Sequence, residues 1–212
     1  MISLRLKTIA LEITKDDKVI DLGCDHGLLS IYLKSNNLCQ EVIATDINAK
    51  ALDNAYQNIK KSKLKIKTLI SNGLEAIATE NYNTLVIAGL GTKTIIDVLS
   101  NYSKLKPINK IILQSNNDLV SLRKYLAKIG YCLLKEEVVN ERDKFYVIMI
   151  YQKSPKKNTT FELKYGLVKD KRYYQSLLNL NNRIIKQLPL RKIGLRINLI
   201  FQNKVIKRII SK

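Results

Sequence analysis

The sequence predicts an α/β fold, in which a mostly parallel sheet is covered by helices, and three observations lead to this prediction. Short apolar runs, typical of strands buried on both faces, alternate with stretches whose apolar residues recur at helical spacing. The run over residues 19–22 enters a glycine turn, and the run over residues 42–45 ends at an acid, Asp46. A strand, a glycine turn, a helix and a second strand that ends in an acid predict a Rossmann-type nucleoside site.

Each element of this first region follows from its own pattern. Asn48 is a typical helix N-cap, and Gly130 ends the last predicted helix. Residues 131–141 and 144–152 predict two strands whose connection is so short that only antiparallel pairing is possible. The sequence therefore predicts seven strands with a terminal antiparallel hairpin. The elements before that hairpin are, in order, helix 2–13, strand 18–22, helix 27–36, strand 41–45, helix 48–62, strand 65–71, strand 85–88, helix 95–99, strand 110–114 and helix 119–129.

The rest of the chain follows a different pattern. A polar linker is predicted over residues 154–160. Apolar residues then recur at helical spacing over residues 174–188 and again over 193–210, with Pro189 between them. Two helices joined by a short break favour an antiparallel hairpin. The predicted domains are residues 1–153, an α/β domain, and residues 154–212, a helical domain.

Positive charge is concentrated in the predicted helical domain. The whole chain of 212 residues has a formal net charge of +19. Residues 154–212 contain 15 lysines and arginines and two acids, Glu162 and Asp170, so they carry +13 of that charge. Such a surface attracts polyanions, and nucleic acid is the expected partner. A lysine-rich proteome is the alternative explanation, but it would not concentrate the charge in the tail.

Composition excludes several classes of protein. No run approaches the ~20 apolar residues of a membrane helix, and the first residues lack the apolar centre of a signal peptide. The three cysteines are scattered and His26 is the only histidine, which favours neither a disulfide framework nor a metal site. We therefore expect a cytoplasmic protein with no metal and no membrane contact. The sequence leaves the oligomeric state open, with a monomer as the working expectation.

The glycine turn after the first strand indicates the kind of ligand. Its sequence is Asp-Leu-Gly-Cys-Asp-His over residues 21–26, so it carries a carboxylate, Asp25. A turn that binds a pyrophosphate through backbone N–H groups should avoid a carboxylate, because like charges repel at close range. S-adenosylmethionine (SAM) carries a sulfonium and an ammonium group at one end, and both suit Asp25. The turn therefore predicts SAM as the cofactor and a methyltransferase rather than a dehydrogenase.

Four stretches carry a resemblance to a known family. They are Arg5-Leu6, the turn over residues 21–26, Ile-Ala-Gly-Leu-Gly over 87–91 and Leu-Gln-Ser-Asn over 113–116. With these stretches in this order, the chain resembles the bacterial tRNA (adenine-22-N1)-methyltransferases of the TrmK type. The resemblance implies a Rossmann-like class I methyltransferase domain followed by a C-terminal α-helical coiled-coil hairpin. It also implies SAM as the cofactor and tRNA as the partner.

The expected cofactor residues follow the ends of the first four strands. Gly23 is expected to turn the chain beside the methionine end of SAM. Asp46 is expected to accept hydrogen bonds from both ribose hydroxyls, with a helix cap as the alternative. Asn72 and Gly73 are expected at the adenine, with a plain turn as the alternative. The complete set of expected cofactor residues is Asp21, Gly23, Cys24, Asp25, His26, Asp46, Ile47, Asn72, Gly73, Ala88 and Gly89.

Asp25 is also the predicted catalytic residue. It would hold the methionine ammonium or face the target adenine, and the alternative is an N-cap of the following helix. His26 would contact the cofactor or RNA, or only pack within the turn. Gly89 and Gly91 would let the target base approach the methyl group, or would only begin a helix. The expected substrate contacts are Arg5, Gly91, Lys93 and Asn116.

The reaction predicted from these residues is methyl transfer from SAM to N1 of an adenine in tRNA. The chain has no Asn-Pro-Pro-aromatic tetrad, which many enzymes use to hold the exocyclic amine for N6 methylation. That absence argues against N6 chemistry and is compatible with N1. Position 22 comes from the resemblance alone. Two alternatives remain open: a SAM-dependent methyltransferase of another RNA or of protein, and a non-catalytic basic RNA-binding module with a vestigial SAM site.

Overall fold

The structure, a computed structural model, describes residues 2–211 apart from the side chain of Leu190. The chain divides into two compact units, with the boundary after Val168. The ends of the two predicted domains, Met1 and Lys212, lie outside the described residues. In the first unit the elements are α1 (Leu4–Leu11), β1 (Lys18–Leu22), α2 (Leu28–Ser35), β2 (Glu41–Asp46), α3 (Ala49–Ser62), β3 (Lys67–Ile70), β4 (Thr84–Leu90), α4 (Thr92–Leu99), α5 (Tyr102–Leu105), β5 (Lys110–Ser115), α6 (Leu119–Lys128), β6 (Tyr131–Glu141), β7 (Lys144–Lys153) and α7 (Thr160–Tyr165).

The seven strands form one sheet in the order β3-β2-β1-β4-β5-β7-β6. Strands β1 to β5 pair in parallel, and β7 pairs antiparallel with both β5 and β6. This confirms the predicted Rossmann-like sheet with its terminal hairpin. The strand order reverses direction at β1, which lies between β2 and β4. Such a switch point opens a crevice at the carboxyl ends of the strands, where ligands bind in open α/β sheets.

Apolar side chains bury the central strands on both faces. Ile20, Leu85 and Ile111 have no exposed surface, and neighbouring residues on the same strands are buried in the same way. This explains why the sequence shows continuous apolar runs here instead of alternation. Outside the sheet, Asn48 caps α3, because its Oδ1 accepts from the backbone N–H groups of Lys50 (2.9 Å) and Ala51 (3.2 Å). The predicted cap is therefore confirmed.

The segment expected to be a linker packs against the first unit instead. The Asn158 side chain bonds both backbone groups of Leu133, accepting from the N–H at 2.7 Å and donating to the carbonyl at 3.0 Å. Thr159 and Glu162 then form a capping box that begins α7. The N–H of Leu167 donates to the buried Glu136 at 2.6 Å. These bonds explain why the boundary between the units falls after Val168 and not after residue 153.

The second unit is a helical hairpin of α8 (Lys171–Gln187) and α9 (Ile193–Ile210). The Asn181 amide nitrogen donates to Asn203 at 2.9 Å, and Arg196 donates to the carbonyl of Ile185 at 2.9 Å. These pairs run in opposite chain directions, so the helices are antiparallel, as predicted. Both helices contain buried apolar side chains, namely Tyr174, Leu178, Leu199 and Ile206. None of the described helices is long and apolar enough to cross a bilayer.

Candidate active site

A cavity of about 470 Å³ opens at the carboxyl ends of β1, β2 and β4. All eleven residues expected to bind the cofactor lie on its wall, and so does Arg5, which was expected to contact the substrate. The sequence interpretation therefore selected residues that the fold does bring together. It missed others on the same wall, namely Leu6, Leu22, Leu28, Leu29, Ser71, Leu90, Thr94 and Val98.

The turn after β1 is held by the neighbouring strand. The backbone N–H groups of Gly23 and Cys24 both donate to the carbonyl of Thr45, at 2.8 and 3.0 Å. Gly23 has φ of 74°, in the left-handed region that glycine adopts without steric cost. Asp25 is also left-handed, with φ of 49°, a conformation that aspartate tolerates better than most residues. The backbone of β2 therefore fixes the turn that presents Asp25 to the cavity.

Asp46 supports this turn from the end of β2. Its Oδ2 accepts from the N–H of Asp25 at 3.1 Å, and its Oδ1 accepts from the N–H of Asn48 at 2.9 Å. The cap of α3 is Asn48, so the alternative interpretation of Asp46 as a helix cap does not apply. Each carboxylate oxygen accepts one backbone bond and retains capacity for another. Asp46 is thus oriented by the protein with acceptors left for a ligand.

Asp21 is the buried carboxylate of the site. It is 5% exposed, and its Oδ2 accepts from the hydroxyl of Ser30 at 2.6 Å. Burial raises the pKa of Asp21 to about 6, the bond from Ser30 lowers it in part, and the Asp46 carboxylate adds to the increase. A cation bound in the cavity would favour the ionised form of Asp21.

Asp25 and His26 lie at the open side of the turn. Their side chains are 69% and 53% exposed, and Nε2 of His26 lies 3.5 Å from Oδ2 of Asp25. The N-cap of α2 is Gly27, which has no side-chain cap. Asp25 is therefore not a helix cap, and its carboxylate remains exposed at the cavity. Asn58 fixes the backbone here by donating to the carbonyl of His26 at 3.0 Å.

Cys24 lies on the cavity wall but is not an available nucleophile. Burial, followed by the neighbouring carboxylates of Asp21 and Asp46, raises the pKa of the Cys24 thiol far above its usual range. Because the thiolate is the reactive form, the thiol stays protonated and unreactive at neutral pH. The site therefore does not support chemistry through a cysteine-bound intermediate.

Asn72 and Gly73 lie on the wall after β3, as does Ile47 after β2. Asn72 donates to the Glu75 carboxylate at 3.1 Å, which orients its amide. Gly73 has φ of 56°, and a Cβ there would lie 3.3 Å from the Val98 side chain. Glycine at this position therefore allows both the left-handed turn and the close packing of α4.

Gly89 has a structural role that the sequence did not indicate. Its φ is 86°, and a Cβ at this position would lie 3.3 Å from Nη1 of Arg5. The guanidinium of Arg5 also lies 5.3 Å from the centre of the Tyr146 ring. The missing side chain at Gly89 thus makes room for Arg5, whose charge the Tyr146 ring also attracts.

The remaining expected substrate contacts do not line the cavity. Gly91 is the N-cap of α4 with an ordinary φ of −76°, and a Cβ there would meet only ordinary contacts. Lys93 is exposed on α4. Asn116 is exposed after β5, and its amide nitrogen donates to the carbonyl of Gly89 at 2.6 Å. Asn116 is therefore connected to the cavity wall by its hydrogen bond to Gly89. The described residues contain no group of three or more histidines, cysteines and acids placed to hold a metal.

The fold and this cavity define a Rossmann-like methyltransferase of class I. The chain belongs to the methyltransferase domain family, which matches residues 2–149.

Proteins with a more specific function than methyl transfer in general are similar to this chain in sequence and in fold. The tRNA (adenine(22)-N(1))-methyltransferase of Bacillus subtilis is 31% identical over 152 residues, which are 70% of this chain and 64% of the relative. A candidate tRNA methyltransferase of Mycoplasma genitalium is 32% identical over 140 residues, which are 65% of this chain and 63% of that protein. The chain thus aligns with slightly under two thirds of either relative. The structure of M. capricolum TrmK with S-adenosyl-homocysteine is 29% identical, with a TM-score of 0.86 over 100% of this chain and 98% of that one.

Proposed function

We propose that the protein is a SAM-dependent tRNA methyltransferase that methylates N1 of adenine, at position 22. The observation that carries the proposal is the group of three carboxylates, Asp21, Asp25 and Asp46, on one cavity wall. Among the described residues, none of the three pairs with a lysine or arginine, although the chain has 37 of these and only 18 acids. Carboxylates without a lysine or arginine partner in so basic a protein suit a cationic ligand.

The residues of the wall fit SAM, which supplies an electrophilic methyl group on a sulfonium. Asp21 and Asp25 would face its cationic end, where their charges are complementary. Asp46 would accept from the ribose hydroxyls, because both of its oxygens retain acceptor capacity. Asn72 and Ile47 would border the adenine end. The M. capricolum relative, which holds the demethylated cofactor product, supports this assignment.

The protein's contribution to the reaction would be mainly positioning. Adenine N1 has an in-plane lone pair, so methylation needs no strong base, and the protein must hold N1 in line with the methyl group. Methylation leaves a positively charged ring. The exposed carboxylate of Asp25 would stabilise that developing charge at the mouth of the cavity. Since the target base is stacked or paired in folded RNA, it must be extruded to reach the cavity.

The support for tRNA comes from charge and from the relatives. Residues 154–212 carry 15 basic residues against two acids, which suits binding of a phosphate backbone. The description of the Bacillus relative names both the nucleotide, adenine 22, and the atom, N1. Methylation of another RNA or of protein is the main alternative, and a vestigial SAM site on an RNA-binding module is the second.

One experiment separates these possibilities. The protein is incubated with methyl-labelled SAM and unmodified tRNA, and the tRNA is digested and its nucleosides identified. We expect labelled N1-methyladenosine from wild-type tRNA and none from a tRNA with guanosine at position 22. Label at another nucleoside would contradict N1 specificity. SAM binding without methylation of tRNA, ribosomal RNA or protein would favour the non-catalytic module.

A further inference from the structure

A chain of side-chain hydrogen bonds links α1, β5 and β4 beside the cavity. The guanidinium of Arg5 donates to Oε1 of Gln114. Nε2 of Gln114 donates to Oδ1 of Asn116 at 3.2 Å, and Nδ2 of Asn116 donates to the carbonyl of Gly89 at 2.6 Å. Arg5 and Gly89 lie on the cavity wall, whereas Gln114 is fully buried behind it.

Arg5 determines which group donates and which accepts in every hydrogen bond of this series. Arginine can only donate, so Gln114 must turn its oxygen toward Arg5 and its nitrogen toward Asn116. Asn116 must then accept with its oxygen, which leaves its nitrogen to donate to Gly89. The backbone N–H of Asn116 also donates to the carbonyl of Leu90 at 3.0 Å, which holds Asn116 in place. The buried glutamine therefore sets which end of the Asn116 amide meets Gly89.

The Gly89 carbonyl lies at an irregular point of the sheet. The register of β4 against β5 shifts between Ala88 and Leu90, so Gly89 bulges out of the ladder. Bulges often redirect groups next to active sites. A carbonyl oxygen has two acceptor positions, and Asn116 occupies one of them. Asn116 therefore leaves one acceptor position of this carbonyl for a second donor.

We propose that Gln114 is a positioning residue for adenine selection, acting through Asn116 on the Gly89 carbonyl. With the Asn116 nitrogen on one side of this carbonyl, its second acceptor position receives the exocyclic amine of the target adenine. Guanine presents a carbonyl oxygen at the same ring position, and two acceptors repel each other. This inference rests on the proposed function, because it assumes that adenine enters the cavity.

The first test replaces Gln114 by glutamate, which has nearly the same shape. In Gln114→Glu the carboxylate still accepts from Arg5 but has no N–H for Asn116. The Asn116 amide must then rotate, which places its oxygen against the Gly89 carbonyl. We expect kcat to fall about tenfold or more, with dissociation constants for tRNA and S-adenosylhomocysteine within about twofold of wild type. The matched control is Gln152→Glu at the exposed end of β7, which should leave kcat and both dissociation constants unchanged.

The second readout tests the amine directly. A tRNA is prepared with purine ribonucleoside, which lacks the exocyclic amine, in place of the target adenosine. We expect the wild-type enzyme to methylate adenosine more than about tenfold faster than this analogue, and Gln114→Glu to lower that ratio severalfold, leaving only the part due to the lower nucleophilicity of N1 in the analogue. An unchanged ratio in Gln114→Glu overturns the inference. Failure of the wild-type enzyme to form N1-methyladenosine overturns the proposed function instead.

Asn116→Asp keeps the test decisive if Gln114→Glu does not fold. Asn116 is exposed, so the substitution disturbs no packing, and the new carboxylate accepts from Gln114 but cannot donate to Gly89. The same loss of preference for adenosine is expected. Full preference in this variant contradicts the role of the Gly89 carbonyl.

Discussion

The two ends of β1 carry two buried aspartates in opposite electrostatic surroundings. Asp17, just before the strand, pairs with Lys110 and also accepts from Thr14 and Thr84. Asp21, near the end of the strand, accepts from the Ser30 hydroxyl and has no lysine or arginine partner among the described residues. Burial would raise the pKa of Asp17, but Lys110 and the other donors outweigh it and lower the pKa. For Asp21 burial prevails, and the pKa rises to about 6.

The difference separates a structural carboxylate from one that a ligand can use. The fold supplies a cation for Asp17, as it does for the buried Glu136, which pairs with Arg123. It supplies none of the described lysines or arginines to the carboxylates of the cavity wall. Burial without a cation is unfavourable for a carboxylate, and Asp21 is buried in this way, so the site indicates a cationic ligand.

The largest effect is expected from breaking the structural pair. Lys110→Met leaves the buried Asp17 without its cation, and we expect the free energy of unfolding to fall by about 3 kcal/mol at neutral pH. Because the folded pKa of Asp17 lies below its ordinary value, this contribution is present above about pH 4 and is lost as the pH falls further. Urea unfolding at several pH values measures it.

Lys135→Met is the matched control for that prediction. Lys135 also pairs with carboxylates, those of Glu12 and Glu137, but its side chain is 49% exposed. Exposed pairs are worth less than about 1 kcal/mol, so this variant should unfold nearly as the wild type does. Equal losses in the two variants would contradict the distinction. Lys110→Met should also leave the affinity for S-adenosylhomocysteine unchanged.

The next effect concerns a ligand carboxylate. We expect Asp46→Ala to weaken SAM binding by about 2 kcal/mol, because acceptors for the ribose and support for the Asp25 turn are both lost. S-adenosylhomocysteine has the same ribose, so its affinity should fall by the same factor in calorimetry. An unchanged affinity for both ligands would refute the assignment of Asp46.

Substitution of Asp25 distinguishes a role in cofactor binding from a role in catalysis. Asp25→Asn keeps the shape and the tolerance of a left-handed backbone while removing the charge. We expect normal folding and a loss of methyl transfer of about tenfold or more, measured by incorporation of label into tRNA. Weaker binding of both SAM and S-adenosylhomocysteine would place Asp25 at the ammonium, whereas a fall in kcat alone would place it at the adenine. A wild-type rate of methyl transfer in Asp25→Asn refutes both roles. The control is Asp53→Asn on the exposed face of α3, which should transfer methyl groups at the wild-type rate.

Much of this site could be predicted because each of its parts is a short run of consecutive residues at the end of a strand. The turn over residues 21–26 and the ends of β2, β3 and β4 follow directly from apolar runs that stop at glycine or at an acid. The sheet order then brings these strand ends together, since carboxyl ends of parallel strands share one edge. All expected cofactor residues consequently lie on one wall.

Contacts between distant segments could not be predicted in this way. Gln114 meets Arg5 only because β5 ends beside α1, and neither residue type indicates the other. The role of Gly89 in making room for Arg5 depends on the same packing. By contrast, Thr159 and Glu162 have the spacing of a capping box, so the sequence did indicate helix α7, which begins at the last residue of the expected linker.

The smallest expected effect is the titration of Asp21. In the free protein its raised pKa means that the folded state binds more protons than the unfolded state between about pH 4 and 6, so stability falls as pH rises there, opposite to Asp17. A cationic ligand prefers ionised Asp21, so we expect SAM affinity to rise about fourfold from pH 5.5 to 7 in calorimetry. Asp21→Asn should remove this dependence. A pH dependence of SAM affinity that persists unchanged in Asp21→Asn would contradict this assignment, and Asp21 would then be no more ligand-directed than Asp17.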